Sequence, residues 1–452
     1  MDDPINHVVL LLLENHSFDQ MLGCFNQVYP ELEGVDPTRK NVNIAQRETR
    51  ETHVDPDPKH ELANVIFQLE SSNANFVSDY ARSYPATTPE QRARIMGYFP
   101  LNFLYALHAL AAEFTICDHW FSSLPGPTWP NRFFALTGTS LGRVTMPSGF
   151  FNPNLHCYDQ TTLFDRLNER NISWKVHFHD TPQSLTLVHQ WEPQNAARYH
   201  EMHGFFDDAN GAERDFPAFA FIEPRYSSSG QNDDHPPHNI LAAQELIGRV
   251  FNAIRENEPL WRSTLLIVTY DEHGGFYDHI SPPGATPPDG HREEYSFDRL
   301  GVRVPAVIVS PWVGKRLDQT QFDHTSLLKY LIEKWNLGPL GARTAAANSI
   351  GFALRTADGL RDNTLGGISI PPEMNALAAI TIPAETSEVL NEHQEALAGF
   401  AAFLETKTAD SAENKVERSN RGHHSAQDQM DVTQERVLLF LNQQKQHQEQ
   451  HR

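Results

Sequence analysis

Residues Val8 to Leu13 form an unbroken apolar run, closed by the charge of Glu14. A strand with one face in water alternates apolar and polar residues. A continuous run suits a strand covered on both faces, as in a parallel sheet. Three further segments share the pattern: Phe219 to Ile222, Thr264 to Tyr270 and Val304 to Val309. Helical periodicity fills Ile240 to Glu256 between two of them, and Ser326 to Trp335 follows the last. This alternation predicts an α/β fold with a central, mostly parallel sheet sandwiched by helices.

Charge and cysteine usage narrow the function. The 452 residues carry 36 Lys and Arg against 58 Asp and Glu, a net charge of −22. Such a surface argues against nucleic acid as partner, and against tight docking on anionic lipid. An enzyme that handles phosphate can carry it only if metal cations supply the positive field locally. Cys24, Cys117 and Cys157 are widely spaced with no Cys-x-x-Cys pair. That excludes a cysteine zinc knuckle and points to buried small hydrophobes rather than a disulfide framework.

The first residues lack a basic segment, and the run to Leu13 is too short for a signal-peptide core. No window approaches the roughly 20 apolar residues of a membrane span. The expected location is therefore cytoplasmic as synthesised, with any export by a route that needs no cleaved signal.

Composition shifts near Pro383. Ser387 to Glu405 and Val432 to Gln450 read as helices, joined by the polar stretch Ala409 to Gln429. The expected organisation is a catalytic domain over 1–383 and an appended helical region or tail over 384–452. Thr38 to Lys59 reads as a loop, and Ser281 to Arg299, rich in Pro, Gly and charge, as a flap over the site.

In parallel α/β sheets, sites form beyond the carboxyl ends of the strands. The first run is followed by Glu14, Asn15 and His16, and the third by Asp271, Glu272 and His273. Past Phe219 to Ile222 come Asp233, Asp234, His235 and His238; past Val304 to Val309 come Asp323 and His324. Carboxylates gathered at one edge repel and resist ionisation unless a cation holds them. A divalent metal site follows, and mixed oxygen and nitrogen ligands favour zinc.

A second signal is Ser122 to Arg132, where Pro125, Gly126 and Pro127 lead into Thr128 and a helical run. A hydroxyl at a helix N-terminus faces unpaired N–H groups that favour a phosphoryl group. Thr128 reads either as a metal-activated nucleophile or as a simple helix cap.

Together these pieces resemble the phosphoesterase family of bacterial and plant phospholipases C, of the phosphatidylcholine-preferring or non-specific type, and related acid phosphatases. The resemblance rests on Glu14 to Asp19, Asp55-Pro56 with His60, Pro125 to Arg132, Asn232 to Pro237, Thr269 to His279 and Phe322 to Ser326. They run in order from residue 5 to about 340. The resemblance implies an alkaline-phosphatase-like sandwich.

It also implies roles for particular residues. Glu14, Asn15, Thr128, Asp271 and Glu272 match metal ligands, and Thr128 also matches the nucleophile. His60 and Asn75 match groups that hold phosphate oxygens, with Asn73 competing for the second role. Asp233 and His235 match a phosphate-orienting or leaving-group acid pair. His324 matches a position that can hold a second ion, so one or two divalent ions, zinc foremost, are expected. Asp234 and His238 have the Asp-x3-His spacing of another such site, in which case Asp233 and His235 would stand behind them.

The implied reaction is metal-dependent hydrolysis of glycerophospholipids such as phosphatidylcholine. Its products are diacylglycerol and a phosphorylated headgroup, made through a phospho-threonine with transient contact at a membrane surface. The alternative is an acid phosphatase acting on small phosphomonoesters.

Overall fold

The structure is a computed structural model. It describes residues 3–147, 152, 158–227, 230–354, 359–372, 390–409, 414–415 and 425–451. Cys157 and the expected domain boundary at 383/384 lie outside them.

Eight strands form the central sheet: β1 (His7–Leu13), β2 (Thr115–Cys117), β3 (Trp174–Phe178), β4 (Tyr199–Glu201), β5 (Phe219–Glu223), β6 (Thr264–Tyr270), β7 (Ala306–Val309) and β8 (Arg316–Asp318). Their spatial order is β8-β2-β7-β6-β1-β5-β3-β4. β1 lies at the centre, parallel to β5 on one side and β6 on the other, with every residue buried. Central placement explains the unbroken apolar run, since both faces must be covered.

β7 departs from expectation. It runs antiparallel to both β6 and β2, pairing Val309 with Leu266 at the start of β6. Its carboxyl end therefore lies at the edge away from Glu14 and Asp271, and Ser310 Oγ donates to the Thr264 carbonyl there. An apolar run carries no direction, so the sequence could not show this reversal. His324 instead follows a short strand at Phe322–Asp323, paired with Trp120–Phe121 outside the main sheet.

The helices that matter below are α1 (Tyr105–Glu113), α2 (Thr128–Thr137), α3 (Ile240–Glu256), α4 (Thr325–Trp335), α5 (Glu392–Glu405) and α6 (Ala426–Gln450). α3 packs against α1 and β6, while α2 packs against α4. Leu397, Phe400 and Leu404 of α5 and Val437 and Phe440 of α6 belong to the same apolar core as the sheet. α5 starts after Asn391, whose side chain accepts from the Gln394 N–H in a capping box, so Leu390 precedes it. Among the described residues no helix is long and apolar enough to cross a membrane.

Candidate functional site

Register at the sheet centre builds the site. Leu13 pairs with Tyr270, so Glu14 and Asp271 leave the sheet side by side. Two backbone bonds extend the pairing into the loops: Asp271 N–H to the Leu13 carbonyl (3.0 Å) and His16 N–H to the Glu272 carbonyl (3.0 Å). Asn15 takes a left-handed backbone (φ 64), a conformation asparagine tolerates better than most residues. Gly274 (φ +61) passes so close that a Cβ there would meet the Asn15 carbonyl oxygen at 2.1 Å. The Gly-Gly pair therefore serves close backbone approach.

Thr128 is the first residue of α2, and the preceding Pro127 offers no side-chain cap. Asn131 folds the loop: its Oδ1 accepts from Leu124 N–H (3.1 Å), and its Nδ2 donates to the Gly126 carbonyl (2.8 Å). Thr128 Oγ1 is buried without a hydrogen-bond partner, so the hydroxyl is not spent on capping. One turn further, Arg132 ties α2 to the strand ends. Its Nε donates to Asp271 Oδ2 (2.9 Å), its Nη1 to Tyr226 Oη (2.7 Å) and its Nη2 to the Leu12 carbonyl (3.0 Å). Glu14 Oε1 lies 3.4 Å from the same guanidinium.

The carboxylates are not drawn into one tight trio. Two groups among the described residues bring three ligand atoms within 4.8 Å of one another: Asp57–His60–His235 and Asp19–Asp278–His279. Glu14, Asp271 and Glu272 are not such a group, because each answers another partner. Arg132 holds Asp271, the Gly274 N–H holds Glu272 Oε2 (2.8 Å), and His393 Nδ1 lies 2.8 Å from Glu14 Oε1.

What remains fits a cation. Glu14 Oε2, Asn15 Oδ1, Thr128 Oγ1 and Glu272 Oε1 are all buried with no hydrogen bond. Oxygen atoms left this way in an apolar setting are costly, and a divalent ion satisfies them. Burial and then the Asp271 charge push the Glu272 carboxyl well above its usual range. Burial pushes Asp271 up to about 7. Burial opposes ionisation of Glu14 as well, but His393 and Arg132 outweigh it and hold Glu14 down to about 2.

Several expected residues do other work. His324 Nε2 donates to the Asp271 carbonyl (2.7 Å), and its Nδ1 accepts from Trp120 Nε1 (3.3 Å). Both ring nitrogens are engaged, so in this arrangement His324 supports Asp271. Without it the Glu14 set is all oxygen, a set that suits harder ions than zinc. Asn75 spends its amide on the Phe67 carbonyl (3.1 Å), while Asn73 bridges the Asp278 carbonyl (2.9 Å) and Ser281 Oγ (3.0 Å). Each amide thus has one donor turned to a main-chain carbonyl.

The expected Asp233–His235 pair is also rearranged. Asp233 Oδ1 accepts from His238 Nδ1 at 2.7 Å. His235 Nδ1 lies 2.6 Å from the Pro236 carbonyl, and His60 Nδ1 lies 2.9 Å from the Pro58 carbonyl. A carbonyl only accepts, so each of these rings carries its proton on Nδ1 and a lone pair on Nε2. Burial lowers both pKa values, that of His235 to about 3. Neither ring has a proton to give to a leaving group or a phosphate oxygen.

His393, from α5, was not expected at all. It is buried and packs between Tyr226 (ring centroids 4.6 Å) and Trp129 (6.4 Å). Glu392 beside it pairs with Lys59 Nζ at 2.6 Å. The fold thus draws its site from the centre of the sheet, from α2, from the 55–60 loop and from the start of α5.

The sequence profile of the phosphoesterase family matches residues 5–338, a span that holds every strand of the sheet. The chain belongs to the phosphoesterase family. Among phosphoesterase relatives, non-specific phospholipase C6 of Arabidopsis thaliana is 34% identical over 364 residues, covering 74% of this chain and 68% of that one. Phospholipase C A of Mycobacterium tuberculosis is 27% identical and covers 82% of each chain. Non-hemolytic phospholipase C of Pseudomonas aeruginosa is 27% identical, covering 76% of this chain and 57% of that one. A phosphonate monoester hydrolase of Agrobacterium radiobacter is similar in structure at a TM-score of 0.34, with 11% identity and 79% of each chain covered.

Proposed function

We propose that this phosphoesterase is a metal-dependent phospholipase C. It cleaves glycerophospholipids such as phosphatidylcholine to diacylglycerol and a phosphorylated headgroup. The observation that carries the reading is the unpartnered Thr128 hydroxyl, first in its helix and joined through Arg132 to Glu14 and Asp271. The phospholipase C relatives support the substrate class.

Glu14, Asn15, Thr128, Asp271 and Glu272 would hold a divalent cation, which supplies Lewis-acid stabilisation of phosphoryl charge and lowers the pKa of a bound hydroxyl. Thr128 Oγ1 attacks phosphorus, and the N–H groups at the start of α2 face the phosphoryl oxygens. Phosphorus passes to Thr128 as the bond to the diacylglycerol oxygen breaks. That oxygen needs a proton. The imidazole held by a carboxylate, His238 against Asp233, is the donor this arrangement offers in place of His235. Water then releases the phosphorylated headgroup from Thr128.

The competing activity is phosphomonoester hydrolysis with the same nucleophile. Purified enzyme is to be assayed on phosphatidylcholine in mixed micelles and on p-nitrophenyl phosphate. Release of diacylglycerol and phosphocholine in preference to nitrophenol is the expected result. Turnover of the monoester alone would overturn the phospholipase reading and leave a phosphatase.

A further inference from the structure

Three electron-pair donors converge in electrostatic range of the Glu14 carboxylate. They are one carboxylate oxygen of Asp57 and one ring nitrogen each of His60 and His235, within 4.8 Å of one another; Nδ1 of each ring is engaged by a carbonyl, which leaves Nε2 to bind. The two rings meet edge to face at 5.7 Å. Asp57 Oδ1 is buried with no hydrogen bond. Lys59 is the cation in electrostatic range of Asp57, but its ammonium sits 2.6 Å from Glu392.

The comparison within this fold is instructive. Asp19, Asp278 and His279 satisfy the same distance test, yet there the Arg303 guanidinium fills the gap, at 2.9 Å from each carboxylate. Asp57 Oδ1 has no such partner among the described residues. Lone pairs facing one another repel, and a cation resolves the repulsion.

We propose that Asp57, His60 and His235 form a second divalent-cation site, of the two-imidazole, one-carboxylate kind that suits zinc. The donor set is right for it, and three protein ligands leave positions open. The outer contacts are right as well. Metal-binding imidazoles characteristically donate their other N–H to a carbonyl or carboxylate, as both rings do here to Pro58 and Pro236. The fold holds the parts in place. A Cβ on Gly275 would strike Pro58 Cβ at 2.7 Å, so only glycine lets the 57–60 loop approach this closely.

This site is distinct from His324 and from the Asp234–His238 spacing. It also changes the role of His60, which acts on an anion through a cation rather than by donating a hydrogen bond. Glu14 lies in electrostatic range of Asp57, His60 and His235, so the second ion flanks the first. Binding of the ion does not rest on the phospholipase reading; its place beside the phosphoester does.

The test uses the full chain, equilibrated with zinc or cobalt(II) and freed of excess metal. Metal per chain is measured by elemental analysis, and the cobalt form by its visible absorption. About two equivalents are expected in the wild type. Asp57→Asn and His60→Gln should each drop to about one, with loss of the intense visible bands of cobalt in a nitrogen-bearing, low-coordinate site. Glu272→Gln should lose the other equivalent and keep those bands. Circular dichroism confirms that each variant is folded. A wild type that binds no metal, or metal content and bands unchanged in both Asp57→Asn and His60→Gln, overturns the site. Phosphatidylcholine turnover is followed in parallel. Two bound equivalents without lipid cleavage would sink the phospholipase reading and leave the site standing.

Discussion

His393 Nδ1 lies 2.8 Å from Glu14 Oε1, so the first turn of α5 meets the carboxylate at the end of the central strand. The ring is wedged between Tyr226 and Trp129, and the Gln394 amide donates to the Tyr226 carbonyl at 3.0 Å. α5 is therefore a wall of the site. His393→Leu keeps volume but leaves Glu14 facing an apolar group. Leaving a buried acceptor unpaired costs about 1–3 kcal/mol. Urea denaturation should show a loss of that size, with turnover reduced as Glu14 shifts. Unchanged stability and unchanged turnover would show the contact to be idle.

Arg132 is fully buried and serves Asp271, Glu14, Tyr226 and the Leu12 carbonyl at once. Lysine has one ammonium and no planar fork, so Arg132→Lys can meet only part of that demand. Breaking a buried charge network typically costs about 3–5 kcal/mol, since the abandoned carboxylates stay desolvated. A large drop in thermal midpoint, or loss of soluble protein, is expected. A variant within about 1 kcal/mol of wild type would mean that Arg132 is not what neutralises the strand ends.

Much of this could be read from the chain because chemistry and punctuation coincide there. Glu14 and Asp271 end apolar runs, so strand, strand end and acid are visible together. The Pro125–Pro127 bracket marks the start of α2, and with it Thr128. Other features leave no local trace. The reversal of β7 depends on connections, not on composition. The fate of His324, His235 and Asn75 turns on which atom faces which carbonyl, and spacing does not encode that. His393 sits in an ordinary amphipathic helix, and only tertiary packing brings it to Glu14. Asp57 stands in a polar loop, where its Asp-x2-His spacing to His60 is the local cue.

Thr128 separates a nucleophile from a helix cap by experiment. Its hydroxyl makes no hydrogen bond in the fold, so Thr128→Ala should leave the denaturation midpoint nearly unchanged. Turnover of phosphatidylcholine should fall by at least about 10³-fold, the scale seen when a nucleophile is removed. Thr128→Ser keeps an attacking oxygen and should retain a measurable fraction. Mass spectrometry of enzyme quenched during turnover of phosphatidylcholine should find one added phosphocholine group on the peptide that contains Thr128. Full activity in Thr128→Ala would refute the assignment.

Acid should destabilise this fold through histidines buried in their neutral form, away from the site. His108 bonds the Met21 carbonyl through Nε2 (2.8 Å), and its Nδ1 has no hydrogen-bond partner. Burial pushes its pKa down from 6.5 to about 4. Burial pushes His177 down to about 3. The folded value lies below the unfolded one, so the unfolded chain takes up the proton first as pH falls. The stability from each ring is thus intact above pH 6.5 and drains away as pH falls toward about 4 for His108. Each contributes a slope of about 1.4 kcal/mol per pH unit within its window. Urea midpoints at pH 7 and pH 5 measure the effect. Carboxylates titrate over part of the same range, so the difference between wild type and His108→Gln isolates one ring. Glutamine can still donate to Met21 but takes up no proton, and its pH dependence should be shallower by that single-histidine slope. Identical pH dependence in the two proteins would mean that His108 is not buried in its neutral form.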